Sequence, residues 1–252
     1  MKDYKLLAET MYKRKSVRDF SKNHADILEN NTDLIDALGI QSLIGSIKVK
    51  VKVLRKGEVS NERSDYCIAF YSEDKPLYLE NIGFIGQQID LELQSRGLGT
   101  CWWGMKKPKR SHKNVDGLSC AITMTAGCPL KVEMRKYPDE FDRKKYNEIV
   151  IGDVKPDQTG IDNLIEAIRI APSAVNLQPW LIEKIGKRYN FYIKKPKSMM
   201  EKMIGYMRNV DMGIAMAHMF VQAQADGSGV SFTFDGNDIE QGKYIGTAYI
   251  ES

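Results

Sequence analysis

The sequence predicts an α+β fold in which a mixed, mainly antiparallel sheet is flanked by helices. Three observations lead to this prediction. Stretches with the period-two alternation of half-buried strands follow segments with helical periodicity. Each half of the 252-residue chain contains one long, apolar, glycine-containing helical segment. The halves also share a sequence pattern, which we interpret as a diverged duplication of one structural unit.

The shared pattern becomes visible when the chain is compared with itself at a shift of 130 positions. Identical or similar residues then coincide at Asp33–Ala37 with Asn163–Ala167, Gly83 with Gly213, Gln94 with Gln224, Gly97 with Gly227, and Gly99 with Gly229. A constant offset over such a length indicates a repeated unit of about 130 residues. The predicted organisation is a first repeat at 1–130, a connecting segment at 131–148 and a second repeat at 149–252.

The elements are predicted in the same order in both halves. In the first half they are a helix at 32–38, strands at 47–54 and 67–71, a long helix at 78–96 and a strand at 120–126. In the second half they are a helix at 159–170, strands beginning at 180 and 190, a long helix at 207–225 and a strand at 230–234. Since glycine allows two backbones to approach closely, we expect the long helices to pack against each other.

Methionines are concentrated in and just before the second long helix. They are Met199, Met200, Met203, Met207, Met212, Met216 and Met219. Because they recur at helical spacing, core packing is the favoured interpretation. A promiscuous binding surface is the alternative, since methionine adapts to ligands of different shape.

Charge and hydropathy exclude several classes of function. The net charge of +4, from 37 basic and 33 acidic residues, is small and dispersed. The densest basic run, at 105–113, lacks the interleaved aromatic residues that stack on bases. We interpret it as a solvated loop and expect no nucleic-acid partner. No segment reads as a signal peptide or a membrane span, so we expect no membrane partner.

The cysteine pattern points to neither a disulfide framework nor a zinc site. None of the four cysteines forms a Cys-x-x-Cys pair or has a histidine at zinc-ligand spacing. They are Cys67, Cys101, Cys120 and Cys128. We predict free, mostly buried thiols, no metal site and a cytoplasmic protein. The three histidines are interpreted as surface or core residues; they are His24, His112 and His218.

The first segment suited to chemistry is "RKSVRDF", at 14–20. In an extended backbone Arg14, Ser16 and Arg18 point the same way. Two guanidinium groups flanking a hydroxyl suit a phosphate dianion, because arginine binds phosphate through two parallel hydrogen bonds. A basic stretch that faces solvent is the alternative interpretation. The corresponding stretch of the second half, 144–148, has lost the pattern.

The second segment is "GLGTCWWGM", at 97–105. Its glycines follow a helix rather than a strand, and it lacks the lysine of a phosphate loop, so neither nucleotide motif applies. Gly104 would allow the backbone to approach a flat ligand closely. A helix C-cap followed by core tryptophans is an equally good interpretation of Gly97 and Gly99.

The third segment is "APSAVNLQPW", at 171–180. Pro172 restricts the backbone, Ser173 and Ala174 are small, and Asn176 offers both a donor and an acceptor. The structural alternative is the end of a helix followed by polar residues that have no ligand-binding role. The corresponding stretch of the first half, 41–46, has kept none of these residues, and survival in one copy favours a function.

Together these segments resemble motifs of the nitroreductase family of flavin enzymes. "RKSVRDF" is similar to the family's opening Arg-Arg-Ser-Val-Arg-x-Phe motif. "APSAVNLQPW" and "GLGTCWWG" nearly match its Ala-Pro-Ser-Ala-x-Asn-x-Gln-Pro-Trp and Gly-Leu-Gly-Thr-Cys-Trp-x-Gly motifs. Residues 127–129 and 143–150 resemble its Gly-Tyr-Pro and its Arg-Lys-Pro-Leu-x-Glu-Ile-Val tail. The resemblance covers most of the chain, but in an altered order.

The altered order has a structural meaning. Members of the family are homodimers with two flavin mononucleotides (FMN) at the interface. Each FMN is held by the Arg-Ser-Arg cradle of one subunit and the Pro-Ser-Ala-x-Asn turn of the other. Here the cradle is intact only in the first half, and the turn only in the second. The resemblance therefore implies a nitroreductase-like pseudo-dimer in one chain, with one of two sites abandoned and one FMN per chain.

The resemblance also implies roles for individual residues. The flavin phosphate would be held by Arg14, Ser16 and Arg18, with Arg143 and Lys145 closing over it. The flavin ring and ribityl chain would contact Pro172, Ser173, Ala174 and Asn176. The backbone of Trp103 and Gly104 would lie near flavin N5. No acid/base side chain is required, because the cofactor carries the redox chemistry.

The function implied by the resemblance is that of an FMN-dependent oxidoreductase. It would take hydride from NADH or NADPH and reduce a nitroaromatic, quinone or similar flat, electron-poor acceptor by a ping-pong mechanism. The alternative is a flavin-binding sensor or storage protein without efficient turnover. The chain would act as a monomeric pseudo-dimer or as a higher homo-oligomer.

Overall fold

The computed structural model describes residues 2–23, 25–30, 33–60, 63–105, 107–136, 140–152 and 162–251 of the chain. Its helices are α1 (Tyr4–Lys13), α2 (Asp26–Asn30), α3 (Leu34–Ala37), α4 (Tyr78–Ser95), α5 (Tyr146–Ile149), α6 (Asn163–Ile170), α7 (Met199–Met203) and α8 (Gly205–Ala225). Its strands are β1 (Val49–Arg55), β2 (Tyr66–Ser72), β3 (Gly99–Trp103), β4 (Asn114–Val115), β5 (Leu118–Gly127), β6 (Val150–Ile151), β7 (Trp180–Ile185), β8 (Arg188–Lys194), β9 (Gly229–Thr233) and β10 (Gly242–Glu251).

The strands form two sheets. The first has the order β1-β2-β5-β3, with β4 paired to β5, and its pairs are antiparallel. The second has the order β6-β7-β8-β10-β9, in which only the β6–β7 pair is parallel. The predicted α+β class, with antiparallel sheets and flanking helices, is confirmed, although the strands occupy two sheets rather than one.

The long helices α4 and α8 pack against each other and are buried along nearly their whole length. Both end before a glycine, Gly97 or Gly227, whose backbone φ is +81°. Glycine reaches this left-handed conformation without strain, so it ends a helix readily. The interpretation of Gly97 as a helix C-cap is therefore confirmed.

The helix α6 and the turn that follows it show how local sequence sets the elements. Asp162 accepts hydrogen bonds from the backbone N–H groups of Leu164 and Ile165, at 2.9 and 3.2 Å, and so caps the helix. The helix ends before Pro172, which disfavours helical backbone at the preceding residue. The predicted start of this helix, at 159–161, lies outside the described residues.

Two expectations about strands are wrong. The sequence predicts no strand between the first long helix and 120–126, but β3 lies there, and a glycine and two adjacent tryptophans hide its period-two pattern. Residues 120–126 were matched with 230–234, but they belong to β5, which takes the sheet position of β10. The strand equivalent to β9 is β3. The sequence pattern alone could not assign these strands to sheet positions, because the alternation within a strand does not specify its neighbour in the sheet.

The methionines divide between the core and the surface. Met212, Met216 and Met219 on α8 are fully buried, as predicted. Met199 and Met203 on the short helix α7 are 73% and 77% exposed, so core packing is wrong for these residues. The helical phase does not continue from α7 to α8, because Ile204 between them leaves helical geometry.

The four cysteines are free thiols, as predicted, but only two of them are buried. Cys67 and Cys101 are buried, whereas Cys120 and Cys128 are half-buried. Within the part of the chain that the structure describes, no helix combines the length and apolar character that a membrane span requires. Of the histidines, His218 is buried in the core and His112 is half-buried, while His24 lies outside the described residues.

Candidate functional site

A cavity with about 580 Å³ of empty space, part of it open to solvent, lies where the first sheet meets α8. This volume is within the range of small-molecule and cofactor sites. The lining residues come from five segments of the chain. They are Ser16 and Arg18 after α1; Cys101, Trp102 and Gly104 at β3; Ile122 on β5; Pro172–Val175 after α6; and Met207, Val210, Asp211 and Ile214 on α8.

The cavity brings together all three segments that the sequence singled out. The predicted residues that line it are Ser16, Arg18, Gly104, Pro172, Ser173 and Ala174. The predicted residues that do not line it are Arg14, Trp103, Arg143, Lys145 and Asn176. The cradle and the turn are about 155 residues apart in sequence, so only the tertiary fold could place them around one space.

The turn after α6 has an unusual backbone. Val175, Asn176 and Gln178 have φ values of 47°, 55° and 51°, which non-glycine residues seldom adopt. Ser173 Oγ accepts a hydrogen bond from the Gln178 N–H at 2.9 Å and so fixes the turn. Such strained backbone concentrates at functional sites.

The connecting segment also holds this turn in place. The Asn176 side chain accepts a hydrogen bond from Arg143 Nη1 at 2.9 Å and donates one to the backbone carbonyl of Asp142 at 3.0 Å. The Lys144 N–H donates to Gln178 Oε1 at 2.7 Å. Asn176 is therefore committed to bonds within the protein and positions the turn rather than facing the cavity.

Arg14 lies beneath the cavity. Its Nε is 2.9 Å from Asp90 Oδ2 on α4, and the two side chains are 4% and 1% exposed. Its Nη2 donates to Ser16 Oγ at 3.4 Å. Arg14 therefore pairs with a buried acid and contacts a residue that lines the cavity.

Behind Arg14 lies a buried polar network that joins α4, β3 and α8. The Gln87 amide donates to Asp90 Oδ2 at 2.8 Å and to His218 Nε2 at 3.1 Å, and it accepts from Trp102 Nε1 at 3.2 Å. Burial lowers the pKa of His218 to about 3, so the imidazole is neutral. Its Nδ1 lies 2.9 Å from the Ala167 carbonyl, which can only accept, so Nδ1 carries the proton.

Three arginines carry like charges beside the cavity. Burial, together with the positive charges of Arg135 and Arg14, lowers the pKa of Arg143 to about 10. The pKa of Arg135 is lowered by burial and by Arg14. Arg135 Nε is buried and has no hydrogen-bond partner among the described residues. Like charges held together with an unpaired donor are typical of a site that binds an anion.

Arg135 was not predicted, and Lys145 lies elsewhere. Arg135 sits in a charged connecting segment whose composition reads as solvated surface, so the sequence carried no distinguishing signal. The guanidinium packs 4.0 Å from the ring centre of Phe141, and it also donates to the Arg14 carbonyl. Lys145 is exposed at the start of α5.

At the end of β3, Trp102 lines the cavity and Trp103 does not. Successive residues of a strand point to opposite faces, so only one of the pair can do so. The Trp102 ring stacks on Phe70 with centroids 5.4 Å apart. Trp103 lies under the Arg63 guanidinium on the other face, at 5.0 Å from the ring centre. The sequence identified the aromatic pair but not which ring faces inward.

Gly104 lies against the start of α8. Its carbonyl accepts a hydrogen bond from the Tyr206 hydroxyl at 2.7 Å. A Cβ atom at this position would overlap the end of the Met207 side chain. The lack of a side chain therefore allows α8 to close over this edge of the cavity.

One face of α8 forms a wall of which sequence reasoning considered only Met207, as part of a possible methionine binding surface. Met207, Val210, Asp211 and Ile214 recur at the spacing of one helical face. This spacing is the signal that could have identified them, but core residues follow the same pattern.

Comparison with known proteins places the chain among nitroreductase-like folds. Residues 6–223 match the family model described as "Putative TM nitroreductase". A solved structure described as a putative nitroreductase, from Thermotoga maritima MSB8, is 21% identical with a TM-score of 0.63, and the match covers 98% of this chain and 94% of that one. At this identity the likeness establishes the fold alone.

Two further solved structures are similar over part of the chain. A nitroreductase family protein from Clostridium difficile 630 is 16% identical over 62% of this chain and 100% of that one, with a TM-score of 0.45. A putative NADH dehydrogenase/NAD(P)H nitroreductase from Parabacteroides distasonis ATCC 8503 is 17% identical over 52% and 92%, with a TM-score of 0.40. No curated protein matches the sequence.

Proposed function

The chain belongs to the nitroreductase family, whose membership supports an oxidoreductase role, and we propose that it is an FMN-dependent NAD(P)H oxidoreductase. It binds one FMN per chain and takes electrons from NADH or NADPH. It passes them to a nitroaromatic, a quinone or a similar flat, electron-poor acceptor. The chain acts alone as a pseudo-dimer or assembles into a homo-oligomer.

The observation that carries this proposal is the single cavity shared by the cradle and the turn. Ser16 and Arg18 line it from the first half, and Pro172–Val175 line it from the second. The residues present fit FMN at both of its ends. Buried polar groups require hydrogen-bond partners, which a phosphate and a polar ring edge would supply.

The phosphate end fits the arginine cluster. The positive charge of Arg14 lowers the pKa of Arg135, and the charges of Arg135 and Arg14 lower the pKa of Arg143, so a dianion beside them would relieve that repulsion. Ser16 links the cluster to the cavity through its contact with Arg14. Arg18 is exposed at the cavity and has no ion-pair partner among the described residues, so its guanidinium is available to an anion.

The ring end fits the walls of the cavity. Trp102, Ile122, Val210 and Ile214 offer apolar surface to a flat conjugated ring, and Asp211 offers a polar group. When bound, FMN supplies the hydride chemistry. The chain holds the ring, keeps water from it and surrounds its phosphate end with positive charge. The backbone at Trp103 and Gly104 contacts the ring edge in this proposal.

One FMN per chain follows from the proposed duplication, in which one of the two sites is abandoned. Four strands have the same order in both sheets, β1-β2-β5-β3 and β7-β8-β10-β9. At the positions 130 residues after Trp102 and Gly104, the second half has Phe232 and Phe234. Phe232 packs edge-on against Phe84 with centroids 5.8 Å apart, and Phe234 contacts Gly246. In this proposal, the large side chain at the position equivalent to Gly104 leaves less room for a second flavin.

Flavin stoichiometry tests the proposal. We would release flavin from the natively purified protein by denaturation and quantify it by absorbance and chromatography. We expect about one FMN per chain. Two per chain would contradict the abandoned site, and none after reconstitution with excess FMN would overturn the proposal.

The phosphate role is tested by comparing FMN with riboflavin, which lacks the phosphate. Arg135→Ala should weaken FMN binding by roughly tenfold or more and leave riboflavin binding nearly unchanged, since charge-assisted bonds contribute about 1.5–3 kcal/mol. Arg110→Ala, which removes an exposed arginine elsewhere, is the control. Equal losses for the two flavins would contradict a phosphate site at Arg135.

Turnover separates an enzyme from a flavin store. Anaerobic NADH or NADPH should bleach the bound flavin, and 1,4-benzoquinone should restore its colour. Bound flavin that resists both steps would favour a sensor or storage protein instead.

A further inference from the structure

Asp211 places a buried carboxyl group at the cavity wall. The residue is 3% exposed and lines the cavity from α8. Its Oδ1 accepts a hydrogen bond from the Ala174 N–H at 2.9 Å. Its Oδ2 is buried and has no hydrogen-bond partner among the described residues. A buried polar atom without a partner is costly, so a partner supplied by a ligand explains its retention.

The other half of the chain makes the same bond with an amide. Asn81 stands at the equivalent position of α4, and its Oδ1 accepts from the Ile44 N–H at 3.0 Å. Its Nδ2 donates to the Ile44 carbonyl at 3.4 Å, so both ends of this amide are paired. An amide therefore suffices to hold the segment in place. The carboxyl group on the cavity side has a role beyond this structural one.

The surroundings keep the Asp211 carboxyl neutral. Burial raises its pKa to about 8, against smaller lowering effects from the Ala174 N–H and the Arg208 charge. Arg208 lies on the same helix, and Arg18 is the charged group across the cavity. Since Oδ1 accepts from a backbone N–H, the proton resides on Oδ2. A neutral carboxyl in an apolar site can donate a hydrogen bond, as carboxylic acids do in other active sites.

We propose that Asp211 is a ligand-binding residue whose Oδ2–H donates a hydrogen bond to a carbonyl-type oxygen of the flat conjugated ring bound in the cavity. This inference rests on the proposed function. The oxygen belongs either to the flavin ring or to the acceptor substrate, since both present such oxygens to a donor. The protein group and its chemistry are the same in either case.

Three forms of the protein distinguish this role from a structural one. Wild-type Asp211 donates while neutral and repels an acceptor oxygen once ionised. Asp211→Asn retains the bond to Ala174, as Asn81 demonstrates, and donates through Nδ2 at every pH. Asp211→Leu keeps the branched shape of the side chain, with larger methyl groups in place of the two oxygens, and donates nothing. Asn81→Leu, the equivalent change in the other half, controls for effects on folding.

The first measurement is the dissociation constant of FMN for the apoprotein between pH 6.5 and 9.5, followed by flavin fluorescence. We expect wild-type affinity to fall about two- to tenfold across this range, the value of one neutral hydrogen bond. The affinity of Asp211→Asn should lack this pH-dependent fall, because its amide does not titrate. Asp211→Leu should bind FMN about two- to tenfold more weakly than wild type at pH 6.5. Other titrating groups affect all variants alike.

The second measurement is the KM for 1,4-benzoquinone with the FMN-loaded protein over the same pH range. If the pH dependence appears in the KM and not in FMN binding, the acceptor is the partner of Oδ2. If wild type, Asp211→Asn and Asp211→Leu agree in both measurements, the inference is wrong. If wild type binds no FMN, the proposed function fails first, and this inference fails with it.

Discussion

Gly83 on α4 and Gly213 on α8 face each other where the two long helices cross. A Cβ atom on Gly83 would overlap the Val210 carbonyl oxygen, and one on Gly213 would overlap the Glu80 carbonyl oxygen. Val210 lies 130 residues after Glu80, the same interval that separates the two glycines. The helix axes therefore approach through backbone, and this crossing positions the α8 face that lines the cavity.

Alanine at either crossing glycine should destabilise the protein. The overlapping atoms are backbone, which cannot move aside as a side chain would. We expect Gly83→Ala and Gly213→Ala each to lower the free energy of unfolding by about 1–3 kcal/mol or more. Urea unfolding measures this loss.

Gly205→Ala, at the start of the same helix α8, is the matched control. A Cβ atom there would meet nothing within 4 Å, so the change should be neutral or slightly stabilising. A crossing variant as stable as this control would contradict backbone contact between the helices.

Breaking the buried pair of Arg14 and Asp90 should be costly for stability. Arg14→Met leaves the Asp90 carboxylate buried without its guanidinium, and such losses cost about 3–5 kcal/mol. Arg18→Met removes an exposed arginine four residues after Arg14 and should change stability by less than about 0.5 kcal/mol. Chemical unfolding of both variants at pH 7 makes the comparison. Equal stability of the two would show that the pair contributes little.

Asp211→Asn should change how stability depends on pH. Because the Asp211 pKa is raised, the folded protein retains a proton between the ordinary aspartate pKa and about 8 that the unfolded chain releases. The stabilisation that the Asp211 carboxyl gives the wild-type protein is complete below the ordinary aspartate pKa and is lost as the pH rises through about 8.

The stability of Asp211→Asn relative to wild type should therefore increase from pH 5 to pH 8, by at most about 1.4 kcal/mol per pH unit. Unfolding curves at several pH values measure this difference. Parallel stability profiles would mean that the carboxyl group titrates normally.

Gly104→Ala should impair the cavity more than the fold. The added methyl group would meet the end of the Met207 side chain, which is flexible and can move into the cavity. We expect a loss of stability below about 1 kcal/mol and roughly tenfold weaker FMN binding. Met207→Ala in the same chain should restore most of the binding. Failure of this double variant to recover would place the defect elsewhere.

The sequence alone identified the elements whose signals are local. The apolar period and the C-terminal glycines identified α4 and α8, and Pro172 marked the end of α6. The strand β3 was missed, because a glycine and two adjacent tryptophans conceal its alternation. Local patterns record what each segment buries, but not which strand becomes its neighbour.

The same division holds for the site. The sequence motifs identified Ser16, Gly104 and Ser173, which line the cavity. Their small or polar character suits ligand binding and can be recognised without knowledge of the tertiary structure. Only the tertiary structure decided that Arg14 pairs with Asp90, 76 positions along the chain, and that Arg135 joins the arginine cluster.

Asp211 shows why the sequence could not identify every residue of the site. On the sequence it is one acid within an apolar helix, and its chemistry depends on desolvation and on a single bond to Ala174. Both arise from packing between segments far apart in the chain. The sequence alone specifies which elements form and which motifs survive. The packing of α8 against the turn after α6 leaves Asp211 Oδ2, at the cavity, without a hydrogen-bond partner among the described residues.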